Sequence, residues 1–503
     1  MHNRRLKLFI FLHRWLGVCG CLLFLAWFVS GIVMMYVEMP ELSERQRLSA
    51  LPVLQAGAAK VSAAEAVQRA QLLGVASIKL TSLFGRPVWR LQGIEGAWCT
   101  IFADTGEVAR SFEYDRARAS LAPFVPAGAH LRFIGEVEEP DQWTVSGEYD
   151  EFRPLYHVAV GDGSGTELYL SGSTGDVVLR STARDRGLAW IGAIPHWIYF
   201  TGIRKHSGNW RLLVIWLAAG ACVVAALGLM IGVWRAFTAR RSWSGYRGSM
   251  RWHHGAGLIF GTLTLTWAFS GMLSLEPGGY STGAQPTVQQ REAFSGTEDY
   301  NLYRQSPSAV IAASPSAKEL EPYSVEGRPY YLARETDRPP RLFDSEGRPV
   351  ESFPQDFLMK AARRAVPEGH VVEQALLTSY DAYYFDREDR RPLPVLRVKF
   401  DDPRGAWLYI DVRRGALVAR YERSGRINRW LYEGLHRWDF PFLWSWRPAW
   451  DITVIVLLAG GIFLSCTGVW IGYRRLRLAL AGAIPKSRSR ESRSFPSKFR
   501  PAG

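Results

Sequence analysis

Leu12-His13-Arg14-Trp15-Leu16-Gly17 leads into a run, Leu16 to Val37, that contains no Asp, Glu, Lys or Arg. The arrangement returns 240 residues later, where Trp252-His253-His254-Gly255-Ala256-Gly257 opens the uncharged run Gly255 to Leu275. Two more uncharged windows, Leu212 to Trp234 and Ile452 to Tyr473, start 240 residues apart. A bilayer core takes about 20 apolar residues per helix, so all four windows are long enough to span it. The same offset pairs His196 with His436, Gly17 with Gly257, Trp27 with Trp267, Ser30 with Ser270 and Gly31 with Gly271. It also pairs Trp190 with Trp430, Gly228 with Gly468 and Gly232 with Gly472. The fold expected is an α-helical membrane protein of four transmembrane helices in two tandem repeats, carrying two α+β domains outside the membrane.

The first window follows Arg4, Arg5 and Lys7, as a secretory leader would, but it is longer than a leader's apolar region and no small-x-small cleavage site follows. Its copy also lies in mid-chain. Basic residues cluster at the N-terminus, in the loop with Arg235, Arg240, Arg241, Arg247 and Arg251, and in the tail from Arg474, which assigns all three to the cytoplasm. The expected order is therefore 1–37, cytoplasmic N-terminus and first span; 38–195, first outer domain; 196–236, interfacial segment and second span; 237–252, basic cytoplasmic loop. It continues with 253–275, third span; 276–425, second outer domain; 426–475, interfacial helix and fourth span; and 476–503, a basic cytoplasmic tail that reads as disordered after Pro485. The loop and tail hold much of the +14 net charge, and basic stretches beside membrane helices report topology and anionic lipid rather than nucleic acid. Of five cysteines only Cys99 falls in an outer segment, so no intrachain disulfide is expected there. Cys19 and Cys21, two apart on a helix, point to different sides and read as small buried residues.

In the first outer segment, Ser62 and Glu65 have capping-box spacing and predict an amphipathic helix from Val61 to Gly74. Strands follow at Ala76 to Leu83, Pro87 to Leu91 and Trp98 to Phe102, and an Asp104-Thr105-Gly106 turn leads to another. The second segment repeats the punctuation: Gly327-Arg328-Pro329 mirrors Gly85-Arg86-Pro87, and Leu408-Tyr409-Ile410 before Gly415 mirrors Leu168-Tyr169-Leu170 before Gly175. Pro307 marks the start of its first helix.

His13 and His253 stand at one end of the first and third spans, and His196 and His436 precede the second and fourth on the other side, among tryptophans normal for that depth. A single histidine at a helix end is ordinarily structural. Two pairs at one repeat offset point instead to ligation across a pseudo-two-fold axis. The residue four after each inner histidine is glycine, Gly17 or Gly257, which leaves room for a flat ring, although Gly257-x-x-x-Gly261 also suits close helix packing. His254 is a possible substitute for His253. His130 and His370 match at the offset but belong to the outer domains, and His206 has no partner. Zinc takes three or four protein ligands, whereas two imidazoles suffice for a haem iron; with no Cys-x-x-Cys-His motif, the reading is two non-covalent, bis-histidine haem b groups. Trp27 and Trp267, about 21 Å along the helix from the inner histidines, are read chiefly as core packing.

Leu12-His13-Arg14-Trp15-Leu16-Gly17 followed by Ser30-Gly31, with a second His-Gly and Ser270-Gly271 pair, resembles the PepSY-associated transmembrane family over nearly the whole chain. The resemblance implies a bacterial inner-membrane protein with PepSY-like periplasmic domains that passes electrons outward to a ferric siderophore or other ferric complex. Some relatives carry a cytoplasmic flavin domain; none is expected in this chain, which leaves a quinol or a soluble cytoplasmic flavoprotein as the expected donor. Two other functions compete. A non-enzymatic regulator would use the outer domains to bind peptides or peptidases, with the histidines merely interfacial. A transporter would suit the parallel repeat, but the spans lack the intramembrane acids and bases that ion coupling uses.

Overall fold

A computed structural model describes residues 2–239, 243–280, 283–387 and 390–483. The tail expected to be disordered after Pro485, and Arg240 and Arg241 of the basic loop, lie outside the described residues. Four long helices form where the uncharged windows predict them: α1 (His2–Met34), α2 (Ser207–Thr238), α3 (Ser249–Leu273) and α4 (Arg447–Ala483). Each is long and apolar enough to cross a membrane. They overrun the windows because the flanking Arg, Lys, Leu and Ala residues continue a helix at little cost. Helix α4 thus takes in residues 476–483, which the sequence reading assigns to the tail.

The described chain forms two compact units. One comprises the described residues within Met1–Leu25, Val223–Thr262 and Gly460–Gly503, and the other those within Ala26–Cys222 and Leu263–Ala459. In the first unit the helices close on small residues: a methyl group at Gly261 would stand 2.8 Å from Leu229, and one at Gly460 would overlap the Phe260 ring. Such contacts replace the hydrophobic effect where the surroundings are themselves apolar.

The second unit holds the outer segments. The first supplies strands β1 (Val75–Leu83), β2 (Arg86–Gly93), β3 (Trp98–Phe102), β4 (Val108–Ala109), β5 (Leu131–Val137), β6 (Leu155–Val160), β7 (Glu167–Ser171) and β8 (Val177–Ser181). The second supplies β9 (Glu319–Val325), β10 (Arg328–Arg334), β11 (Arg341–Asp344), β12 (Pro349–Val350), β13 (Val371–Leu377), β14 (Val395–Phe400), β15 (Trp407–Asp411) and β16 (Ala416–Tyr421). Strands β5 to β8 and β13 to β16 form separate four-stranded antiparallel sheets. The remaining strands merge into one eight-stranded sheet, in the order β12-β11-β10-β9-β1-β2-β3-β4. Its joint is β1 against β9, with Leu80 opposite Leu320, and one core containing Trp89, Leu91, Ile101, Val310, Tyr331 and Phe343 runs beneath both halves. Division at residues 38–195 and 276–425 does not anticipate this joint, because strand partners distant in sequence leave no local signal.

Local chemistry accounts for most of the elements. The two mirrored Gly-Arg-Pro motifs each end a two-residue hairpin turn, Phe84-Gly85 and Glu326-Gly327, with all four residues at positive φ. That is the backbone which matches the twist of paired strands, and glycine adopts it without strain. The Ser62–Glu65 capping box opens a helix as expected, but the helix spans Ala63–Ala70 and stops at Gln71 in the left-handed region, short of Gly74. Pro307 does precede a helix, Ser308–Ala313, yet it is not the first of its segment. Val288–Ser295, opened by a Thr287–Gln290 capping box, comes earlier.

Candidate functional site

His13 and His253 lie in the first unit with ring centroids 6.4 Å apart, and His196 and His436 lie in the second with centroids 6.2 Å apart. A metal–nitrogen bond of about 2 Å, plus roughly 1 Å from that nitrogen to its ring centre, separates two trans imidazole centroids by about 6 Å. Both pairs therefore have the spacing of two ligands on one metal.

The proton on each ring can be assigned from its partners. His13 Nδ1 lies 3.0 Å from the Val224 carbonyl oxygen, which only accepts, so Nδ1 carries the hydrogen. The Thr467 hydroxyl donates its one hydrogen to the Leu464 carbonyl at 2.7 Å, and must accept from His253 Nδ1 at 3.0 Å. Ser30 is likewise committed to the Trp27 carbonyl at 3.1 Å and accepts from His196 Nδ1 at 3.0 Å. Ser270 gives its hydrogen to the Trp267 carbonyl at 3.2 Å, and His436 Nδ1 lies 3.2 Å from both Ser270 Oγ and that same carbonyl. In all four rings Nε2 is left with its lone pair, and among the described residues none has a hydrogen-bond partner. A metal-ligating histidine is ordinarily held in this way, by a bond from its other nitrogen.

His196 and His436 are positioned by their backbones as well. His196 sits in the short helix Ala193–Trp197, which Ile198 ends at φ 57; His436 follows a wide turn, Arg429–Gly434, and Trp438 also has φ 57. The indoles of Trp27 and Trp267 donate to the carbonyls of His196 and His436, at 3.1 and 3.0 Å. These tryptophans therefore anchor the histidine backbones, a more specific role than the core packing expected from sequence. Burial draws the His196 imidazole down to about 4, and burial with His196 as neighbour draws His436 down to about 3, so both are neutral near pH 7.

Glycines give the rings their room. A methyl group at Gly228 would stand 2.7 Å from His13 Cε1, and one at Gly271 3.1 Å from His436 Cε1. At Gly468 the separation from His253 would be 3.5 Å, and at Gly31 from His196 3.8 Å. A methyl group at Gly17 meets no atom within 4 Å, and at Gly257 only Leu464 at 3.9 Å, so space lies open one turn from each inner histidine.

Other candidates do not share this geometry. His254 is buried with both nitrogens spent, Nδ1 on Ser244 Oγ and Nε2 on the Gly232 carbonyl, each at 2.8 Å, and it stacks on Trp243. It is a structural histidine and no substitute for His253. His130 and His206 are exposed, and His370 lies exposed 3.6 Å from Asp401. Among the described residues no group of three or more His, Cys, Asp or Glu side chains converges to hold a metal ion.

The sequence reading found the four rings but not Val224 and Thr467 as their partners. The repeat gives no signal there, because position 227, which corresponds to Thr467, is leucine. Gly228 and Gly468 did carry a signal as a matched pair, with no indication that they face the inner histidines.

No curated protein matches the chain. The family described as the PepSY-associated TM region matches residues 10–475, which takes in every sheet, the whole of α2 and α3 and most of α1 and α4. This membrane protein belongs to the PepSY-associated TM region family.

Proposed function

We propose that the chain is a two-haem b electron-transfer protein of the bacterial inner membrane, built by duplication, with both termini cytoplasmic and the outer segments forming PepSY-like periplasmic domains. Its acceptor would be a periplasmic ferric complex such as a ferric siderophore. The observation that carries the reading is the double pairing of imidazoles at 6.4 and 6.2 Å, each with Nδ1 committed and Nε2 bare. His13 with His253 would hold one haem and His196 with His436 the other. Bound haem b supplies reversible one-electron chemistry, and two strong imidazole ligands suit it to transfer rather than to oxygen binding.

The protein's own part is to hold the rings. Val224, Thr467, Ser30 and Ser270 fix the tautomers, Trp27 and Trp267 fix two of the backbones, and the facing glycines keep a volume free of side chains. An apolar groove of about 360 Å³ lined by Trp252, Phe463, Trp470 and Thr467 adjoins the residue that orients His253. Reduced-minus-oxidised absorption spectra of protein purified from haem-replete cells test the proposal. Two low-spin b-type components are expected, and a spectrum without haem bands rejects it.

A further inference from the structure

Residues 296–306 connect the helix Val288–Ser295 to the helix Ser308–Ala313, and on the way they cross from the second outer segment to the first. The Tyr303 carbonyl accepts from the Ala64 N–H at 3.2 Å, and Ser306 Oγ donates to the Ala59 carbonyl at 2.6 Å. The Tyr303 side chain, 3% exposed, belongs to the core that runs beneath both halves of the large sheet, and Tyr300 packs against that core. Glu298 ties this connector back to β9. Its Oε1 accepts from the Tyr303 hydroxyl at 2.8 Å and its Oε2 from the Ser324 N–H at 3.1 Å. One carboxyl therefore joins the strand to the residue that reaches across the seam.

No cation answers that carboxyl. Among the described residues Glu298 forms no ion pair, and its charged neighbour, Glu321 on β9, is a second carboxylate, paired with Arg334 at 3.0 Å. The other titratable groups facing it are phenols: Tyr300 and Tyr303 on the connector and Tyr323 on β9. Burial pushes all three up, so they keep their hydrogens. Tyr331 on β10 packs on the Tyr303 ring at 5.3 Å, and Arg328 on the same strand is exposed. Asp299 and Arg304 are engaged with Asn301, while Glu65 and Arg69 of the helix Ala63–Ala70 serve Ser62 and the Gly106 carbonyl. Burial raises the Glu298 carboxyl above its ordinary value, Glu321 adds to this, and the two hydrogen bonds offset it only in part. A carboxyl raised in the folded state stabilises the fold in full below its unfolded value, about 4.3, and that contribution is lost as pH rises through the folded value. Once ionised, the group regains water only if the connector lifts from β9.

We propose that Glu298 is a proton-operated latch on the seam between the outer segments: protonated, it holds residues 296–306 against β9, and ionised, it lets them loosen. The latch is independent of the haem reading. Hydrogen–deuterium exchange of full-length protein tests it, with protection followed in peptides covering residues 296–306 and 63–70 from about pH 4.5 to pH 8 and corrected for the intrinsic pH dependence of amide exchange. Glu319, held down at about 2, stays ionised over that range and does not contribute. Protection of both peptides should fall as pH rises in wild type. Glu298→Gln keeps an acceptor for Tyr303 and Ser324 but carries no charge at any pH, so its protection should remain at the acid level throughout. Tyr303→Phe serves as a second variant should the glutamine protein not fold. Removing a donor that favours the ionised carboxyl should move the loss of protection to higher pH. Wild-type protection that does not change with pH, a pH dependence that persists in Glu298→Gln, or a transition in Tyr303→Phe that stays in place or moves to lower pH overturns the proposal.

Discussion

Each Nδ1 in the two histidine pairs gives its hydrogen to an oxygen that has none left to offer, so only Nε2 remains to meet a ligand. His254 provides an internal control, being the neighbour of His253 with both nitrogens bonded inside the protein. Replacing His13 or His436 by alanine should therefore remove one of two haem components and leave the other. His254→Ala should preserve both components while lowering thermal stability, because it strands Ser244 and the Gly232 carbonyl in a buried place; the loss expected is about 1–3 kcal/mol. Haem stoichiometry and thermal unfolding on the same preparations separate the two outcomes. Loss of a component in His254→Ala together with its retention in His13→Ala would reverse the assignment.

Elements carry these side chains to their places, and they differ in how openly the sequence declares them. The four spans are legible because uncharged runs of that length have few alternatives, and the hairpins because Phe84-Gly85 and Glu326-Gly327 need positive φ. The histidine pairs are legible through the repeat. The wide turn at Arg429–Gly434 and the Val224 and Thr467 contacts are not, since each depends on residues brought together by packing. Helix α1 offers a test of what the open space beside it is for. Gly17→Ala should be neutral or stabilising by about 0.5–1 kcal/mol in haem-free protein, as alanine favours the helix and no described atom obstructs its methyl group. If a porphyrin fills that space, the same substitution should lower haem content in the His13 centre and spare the other. In the second unit, Trp267→Phe removes the indole bond to the His436 carbonyl, about 1 kcal/mol, and should shift the potential of that centre while the His13 centre stays at its wild-type value.

At the scale of the whole molecule, the outer segments are joined by a sheet and by a buried charge. Glu319 on β9 is 2% exposed and accepts from Arg47, 272 residues away in sequence, at 2.8 Å, with Lys79 on β1 at 3.2 Å, so distant parts of the chain meet at the β1–β9 joint. Burial alone would raise the Glu319 carboxyl, but the Arg47 and Lys79 contacts outweigh it and hold the group down at about 2. A carboxyl depressed in the folded state stabilises the fold above its unfolded value, about 4.3, and that contribution is lost as pH falls through the folded value. The shift corresponds to about 3 kcal/mol, present in full near neutrality and fading between about pH 4 and pH 2. Glu319→Gln should remove it at pH 7 and leave Arg47 and Lys79 facing a neutral amide, a loss of about 3 kcal/mol by the measure of broken buried ion pairs. Unfolding of the outer segments, followed by tryptophan fluorescence in urea, should show wild type and variant far apart at pH 7 and converging towards pH 2. A difference that stays constant over that range would mean that the joint is held by the Leu80–Leu320 strand pairing and its shared core, with the carboxylate adding nothing.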